Sequence, residues 1–583
     1  MTILDIDTEQ RTNQLDSTPP VRLSVDNLNV GFERHGSVRP VVKNVSFDLR
    51  EGQCVAIVGE SGSGKSVTAR TLVGLTGGNA VVDADALRLG DENLTALSPK
   101  RWRSIRGRRI GFILQDALVS LDPLRPVGKE IEEALKLHGW GDRTSRKRKV
   151  IDLLTSVGVP SPENRSRQRP DELSGGLRQR ALIASALALD PEIVIADEPT
   201  TALDVTVQAQ VLQLLEEMKQ RGTSIILISH DLSVVAHLAD HILVMSGGEV
   251  VEQGSAHEIL TAPKHPYTQS LINAVPSRET RGTRLAPATG VAPVHTAAHA
   301  NDEHAGFDGP VLEAEGLVKN FTAPDGTLTT AVNNVSFTLG RGETLGIVGE
   351  SGSGKSTTAR IALALDTADA GTVRLLGQDW SAVPETKRRR LRKQISVVYQ
   401  DPLSSFDPRW NVERILLDSL PAGAFATATA RRERVLALLA QVGLPDSVVH
   451  RFPLQLSGGQ RQRVAIARAL APSPSIVVLD EAVSALDVSI QAQILDLLVD
   501  LQKEFGLSYL FISHDLGVIS HLSDRVLVMK DGVVVESGDA DQIFTRPAHP
   551  YTQELLGALP TLDESHTVAG ASVSPSSSTE GQE

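Results

Sequence analysis

Short β-branched apolar runs alternate along this chain with longer amphipathic stretches. The runs QCVAIVG, RIGFILQ, IVIAD and SIILISH read as buried strands, while VTARTLVGL and VTVQAQVLQLLEEMKQ carry the 3.6-residue spacing of helices. This alternation predicts an α/β fold with a mostly parallel core sheet, because parallel neighbours need a crossover and a helix usually supplies it. Two further stretches, VRLSVDNLNVGF and VLEAEGLVKNF, alternate apolar and polar positions and predict an added antiparallel β layer. Mostly helical patterns occupy about 116–172 and 401–455. The whole series of patterns occurs twice.

The repetition extends to short motifs in fixed order. GESGSGKS stands at 59–66 and at 349–356. QDALVSLDP from Gln115 returns as QDPLSSFDP from Gln400. LSGGLRQR at 173–180 returns as LSGGQRQR at 456–463, and IVIADEPTTALD at 193–204 as IVVLDEAVSALD at 476–487. ISHDLSVVAHLAD returns as ISHDLGVISHLSD, and PKHPYTQSLINAVP at 263–276 as PAHPYTQELLGALP at 547–560. The copies stand 283–290 residues apart, far beyond the period of a solenoid repeat, which indicates a duplicated domain. The expected division is a disordered N-terminus at 1–20, domain 1 at 21–276, a flexible linker at 277–310, domain 2 at 311–562 and a disordered tail at 563–583. The linker histidines His295, His299 and His304 could bind a metal, but a solvated Ala/Pro-rich linker accounts for them.

The motifs carry chemistry. GxxxxGK[ST] between an apolar strand and a helix is the context of a phosphate-cradling loop, whose backbone N–H groups curl around phosphate oxygens. The binding candidates are Gly59, Ser61, Gly62, Gly64, Lys65, Ser66 and Val67, with Gly349, Ser351, Gly352, Gly354, Lys355, Ser356 and Thr357 in the second copy. The two lysines can reach the β- and γ-phosphates of ATP, and Ser66 and Ser356 can ligate Mg²⁺. Asp197 and Asp480 end buried strands and would hold that ion. The acids after them, Glu198 and Glu481, would repel these neighbours unless a cation or a proton-transfer role justified them; each is a candidate general base for an attacking water. Gln115 and Gln400 can contact Mg²⁺ or the water. His230 and His514 end further strands and can hydrogen-bond a γ-phosphate. Ser174, Gly175 and Gly176, and likewise Ser457, Gly458 and Gly459, open helices and form a second anion site. One domain does not need two such sites for one phosphate, so this turn is expected to face the nucleotide of the other copy.

Charge and composition narrow the role. The 583 residues carry a net charge of −13 and 41% hydrophobic residues, a globular composition whose acidic balance argues against nucleic acid as a partner. The basic runs PKRWRSIRGRR and KRRRLRK recur in register and read as solvated helix faces. The single cysteine, Cys54, excludes a disulfide framework and a cysteine-ligated metal, and reads as a buried strand residue. No secretory signal and no stretch of about 18 apolar residues is present, so a membrane role requires partners.

Taken in order, these motifs resemble an ATP-binding-cassette (ABC) ATPase twice over, across nearly all of 21–276 and 311–560. The resemblance implies two tandem P-loop NTPase domains, each with a helical subdomain, paired head to tail within one chain. Lys65, Asp197, Glu198 and His230 would then act with Ser457, Gly458 and Gly459. Lys355, Asp480, Glu481 and His514 would act with Ser174, Gly175 and Gly176. Phe32 and Phe321 are similar to the family's adenine-stacking aromatic. Two departures, Leu177 in the first signature and Ala482 in place of Pro199, remove no catalytic group, so two hydrolytic sites are expected. The HPYTQ runs are similar to the C-terminal extension of oligopeptide, dipeptide and nickel importer ATPases. That likeness implies two integral-membrane permease subunits, an extracytoplasmic substrate-binding protein and a peripheral place on the cytoplasmic face of the membrane. Peptide is the leading cargo, with nickel, glutathione or another small solute as alternatives. The rival class, soluble tandem ABC proteins acting on ribosomes, typically joins its cassettes with a long charged helix, which the Ala/Pro-rich linker does not resemble.

Overall fold

The computed structural model describes residues 19–34, 36–114, 120–200, 203–286, 307–322, 328–484 and 486–557. Each half holds a six-stranded sheet, a smaller antiparallel sheet and a set of helices. In the first half the large sheet runs in the order Glu249–Ser255, His241–Ser246, Cys54–Val58, Ser224–Ile228, Ile193–Asp197, Ile110–Ile113. Only the outermost pair, Glu249–Ser255 with His241–Ser246, is antiparallel. The second half repeats the order as Val533–Asp539, Arg525–Lys530, Thr344–Val348, Ser508–Ile512, Ile476–Asp480, Ile395–Val398, again with one antiparallel edge. Cys54–Val58 and Ser224–Ile228 are buried at every position. Helices cover one face of the large sheet, and the antiparallel layer with the helix Lys65–Leu72 covers the other, so the central strands are buried on both faces and read as continuous apolar runs rather than alternating ones.

The antiparallel layers form as the alternation predicts. Val21–Arg34 pairs with Ser37–Arg50, and Leu312–Thr322 with Leu328–Leu339. Leu23, Val25, Leu28 and Val30 point one way and are buried. The helical region of the first half consists chiefly of Val127–Leu137 and Arg143–Ser156, which pack against Gly175–Ala186. Its counterpart in the second half uses Val412–Ser419, Ala428–Gln441 and Gly458–Leu470. Side chains start these helices: Asp142 accepts the Ser145 N–H at 2.7 Å and Asn411 the Arg414 N–H at 3.0 Å, each cap contributing about 1 kcal/mol.

Three findings differ from the sequence expectations. First, residues 277–286 are not a free linker but lie against the second half. Arg284 reaches Asp500 at 2.7 Å, and Arg281 reaches Asp524 and Asp541 at 3.4 and 3.3 Å. The Leu285 and Ala286 N–H groups donate to the two oxygens of Asp496 at 3.1 and 3.0 Å. The cause is charge matching, because two arginines and two unpaired amides meet four carboxylates. Second, the far end of this stretch is also engaged, since Phe307 packs against the core of the second half. Third, the basic runs are not wholly solvated: Arg106 donates to the Val73 and Gly74 carbonyls at 2.7 Å each, and Arg392 to Leu363 at 2.6 Å. Residues 1–18, 287–306 with His295, His299 and His304, and 558–583 lie outside the described residues, as does Gln115. Cys54 is buried, and burial pushes its thiol pKa up, as a structural strand cysteine requires. Among the described residues, no helix is long and apolar enough to cross a membrane.

Candidate functional site

The site starts where the central strand of each large sheet ends. Cys54–Val58 delivers Gly59, and the helix Lys65–Leu72 departs from the other end of the loop. Gly59 has φ 144°, and a Cβ there would collide with the Met245 carbonyl oxygen; Gly349, at φ 149°, faces Met529 in the same way. Only glycine lets the backbone turn so close to the neighbouring strand. Lys65 and Lys355 are buried along their stems. The Lys65 ammonium donates to the Gly59 and Glu60 carbonyls at 2.6 and 2.9 Å, and Lys355 to those of Gly349 and Glu350 at 2.8 and 2.7 Å. Ser61, Gly62, Ser351 and Gly352 form the exposed crown of each loop, while Gly64 and Gly354 cap the helices from the left-handed region. Val67 and Thr357 sit half-buried on the first turn.

The candidate metal ligands converge. Ser66 Oγ donates to Asp197 Oδ1 at 3.0 Å, and Ser356 Oγ to Asp480 Oδ1 at 3.2 Å. Asp197 is fully buried, and its second oxygen, Oδ2, has no hydrogen-bond partner in the protein. Burial raises the pKa of both aspartates, partly offset by the serine bonds. A buried carboxylate with an orphaned oxygen beside a hydroxyl suits a hard divalent cation that takes its remaining ligands from phosphate and water.

Next to each aspartate the chain enters an unusual conformation. Glu198 and Glu481 have φ 51° and 49°, the left-handed region that non-glycine residues avoid. Each is held there by its N–H, which donates to the neighbouring strand at Ile228 (2.8 Å) or Ile512 (2.9 Å). The strain turns the carboxylate off the strand end and toward a histidine. Glu198 Oε1 lies 3.3 Å from His230 Nδ1, and Glu481 Oε2 lies 3.5 Å from His514 Nδ1. Gln400 Nε2 donates to the same Glu481 oxygen at 2.7 Å. Burial works to lower the histidine pKa values, but the glutamates hold both above the ordinary imidazole value. Burial likewise works to raise Glu481, and the His514 partner brings it below the usual carboxylate range. Both lysines are lowered by burial, against opposing carboxylate fields.

Those fields come partly from the other half. After Glu198, the largest carboxylate influence on Lys65 is that of Asp487; after Glu481, the largest on Lys355 is that of Asp204. Asp204 and Asp487 cap the helices Val205–Gln220 and Val488–Phe505, accepting from Val207 N–H at 2.9 Å and Ile490 N–H at 3.2 Å. Thr206 Oγ1 of the first half donates to Glu350 Oε1 in the second loop at 2.6 Å. Ser174 and Ser457 are exposed N-caps of the helices Gly175–Ala186 and Gly458–Leu470. Gln460 returns a bond from its side chain to the Ser457 N–H at 3.2 Å, closing a capping box. Leu177, at the matching place, has no polar group to return and packs against the core instead.

The aromatic candidates are less engaged. Phe321 is 45% exposed with Lys319 Nζ 5.5 Å from its ring centre, and Phe32 is half-buried. The sequence reading missed Asp204, Asp487 and Thr206, although the aspartates recur in register at the end of the two ALD runs. It also assigned no role to the tyrosines of the two HPYTQ runs, and Tyr267 and Tyr551 pack in or against the core and accept loop N–H groups from Glu60 (3.0 Å) and Glu350 (3.2 Å).

Residues 42–201 and 332–484 each match the ABC transporter family model, and residues 251–302 and 535–581 match the C-terminal region of oligopeptide/dipeptide transporters. A glutathione import ATP-binding protein of Salmonella paratyphi A is 42% identical over 568 residues, covering 93% of this chain and 90% of its own. One of Pectobacterium atrosepticum is 42% identical over 561 residues, with the same coverage of 93% and 90%. Among solved structures, a dimeric bacterial ABC transporter cassette covers 39% of this chain and 98% of its own, at 30% identity and a TM-score of 0.37.

Proposed function

This chain belongs to the ATP-binding proteins of oligopeptide/dipeptide-class ABC importers, and we propose that its two ATPase domains, 21–276 and 311–562, work head to tail with one ATP site at each of two shared seams. The hydrogen bond that Thr206 Oγ1 of the first half donates to Glu350 Oε1, in the phosphate loop of the second, at 2.6 Å is the observation that carries this reading. Head-to-tail pairing places the loop of one half before the signature turn of the other, so that Ser457, Gly458 and Gly459 complete the Lys65 site. Ser174, Gly175 and Gly176 complete the Lys355 site.

Within each site the loop amides and lysine bind the β- and γ-phosphates. Phe32 and Phe321 stack on adenine. Ser66 with Asp197, and Ser356 with Asp480, would hold Mg²⁺, with Gln115 and Gln400 beside it; a bound Mg²⁺ neutralises charge on the phosphates. Glu198 and Glu481 orient the attacking water and take its proton. His230 and His514, kept protonated more readily by those glutamates, donate to the γ-phosphate. Replacing both bases, Glu198→Gln with Glu481→Gln, is expected to lower ATP turnover about 100-fold or more while leaving ATP binding intact. A turnover within a factor of two of the unaltered protein sinks the base assignment.

An importer ATPase works through membrane permeases. We infer two permease subunits, a substrate-binding protein outside the membrane and a peripheral position on its cytoplasmic face, with the helical regions near 116–172 and 401–455 as the coupling surface. The match to the oligopeptide/dipeptide C-terminal region in both halves speaks against a ribosome-acting role. The cargo is inferred to be a short peptide, and the relatives named for glutathione import make that tripeptide the first to test. Cells lacking this chain should lose uptake of labelled glutathione or of a labelled dipeptide; retention of both removes the peptide assignment.

A further inference from the structure

The tyrosine of the repeated His-Pro-Tyr-Thr run does the same thing in both halves. Tyr267 Oη accepts the Glu60 N–H at 3.0 Å, and Tyr551 Oη accepts the Glu350 N–H at 3.2 Å. These two N–H groups are not arbitrary members of the loop. Each belongs to the peptide unit whose carbonyl, that of Gly59 or Gly349, accepts the lysine ammonium at 2.6 or 2.8 Å. One peptide plane is therefore gripped at both ends, by the tyrosine at its N–H and by the lysine at its oxygen. Bonds at opposite ends of one peptide polarise it in the same sense, so the tyrosine strengthens the carbonyl as a lysine acceptor.

The phenol is placed from outside the loop. His265 Nδ1 accepts the Tyr267 N–H and His549 Nδ1 the Tyr551 N–H, both at 3.2 Å, which starts each helix at its proline. Glu252 accepts the Lys264 and His265 N–H groups at 2.7 and 3.0 Å, tying that turn to the last strand of the sheet. Glu536 does the same for Ala548 and His549 at 2.7 and 3.1 Å. Burial pushes the Tyr267 hydroxyl pKa up to about 12, so the phenol stays neutral. The arrangement also reaches the seam between the halves, because the Glu350 side chain accepts Thr206 while its N–H is held by Tyr551.

We propose that Tyr267 and Tyr551 are positioning residues for ATP. Each fixes the first peptide of its phosphate loop, and through it the lysine, so that a displacement of the C-terminal extension changes ATP affinity. This rests on the phosphate-loop assignment and adds the C-terminal extension to the determinants of that site.

The test uses the full chain with Tyr267→Phe, Tyr551→Phe and both together. Phenylalanine keeps the ring and its packing and removes one oxygen. ATP affinity, KM, kcat and the nucleotide-free thermal midpoint are measured. The double variant is expected to raise the ATP KM and dissociation constant about 5-fold, the scale of one neutral hydrogen bond per site, with a smaller change in kcat. Unchanged ATP affinity overturns the proposal even when the thermal midpoint falls, because a packing role alone moves only stability. Should the double variant not fold, each single variant reads out its own site against the other. Lys65→Ala with Lys355→Ala separates the two levels: wild-type affinity there overturns the loop assignment itself, whereas wild-type affinity in the tyrosine variants alone overturns only the positioning role.

Discussion

At the scale of single residues, the pairing of His514 with Glu481 and of His230 with Glu198 sets how each site responds to pH. The histidine pKa values are raised in the fold, so their share of the pair energy is complete below about pH 6.5 and fades as the pH rises through the raised values. Glu481 is lowered, so its share is complete above about pH 4.3 and fades as the pH falls through the lowered value. The pair is strongest between these limits. Glu481→Gln removes the charge that raises His514, and its imidazole resonance is expected to titrate at lower pH by NMR; an unmoved midpoint counts against the pairing. These residues were legible in the sequence because acid-ended strands and strand-end histidines recur in register. Their backbone strain was not, since nothing in DEP or DEA signals a left-handed glutamate. Nor was the tyrosine contact, which joins positions 207 apart in the chain.

At the scale of elements, the strands and crossover helices follow directly from the apolar runs, whereas the near end of the linker does not. SRETRGTRLA contains no apolar periodicity, and its anchors are four aspartates more than 200 residues away. The equivalent stretch after the second HPYTQ run, TLDESHTVAG, has no arginine at all, so the two arginines that meet these carboxylates are not a repeated feature of the sequence. Asp496 is central, since it receives two consecutive amides. Asp496→Ala is expected to speed hydrogen exchange at Leu285 and Ala286 about 10-fold or more, as lost protection of two bonded amides requires. Exchange at the original rate there means that the segment is held by something other than this carboxylate. The two signature helices differ for an equally local reason: Gln460 closes a capping box that Leu177 cannot close.

At the scale of the whole molecule, the duplication, the α/β class and the ABC ATPase motifs could all be read before any coordinates, because each motif is its own copy's control. What joins the halves could be read only in part. The head-to-tail expectation came from counting anion sites, while the Thr206–Glu350 bond, the opposed Asp204 and Asp487 and the packing of Pro266–Asn273 against Val488–Phe505 exist only in three dimensions. Shared seams make a combinatorial prediction that self-contained halves do not. In the Glu198→Gln, Glu481→Gln background, trapped ATP is counted per chain after adding either of two pairs of lesions. Lys65→Ala with Ser457→Arg places both lesions in one seam, and one ATP should remain trapped. Lys65→Ala with Ser174→Arg damages both seams, and none should remain. The reverse pattern, with ATP surviving only in the Lys65→Ala, Ser174→Arg chain, contradicts composite sites and makes each half an ATPase complete in itself.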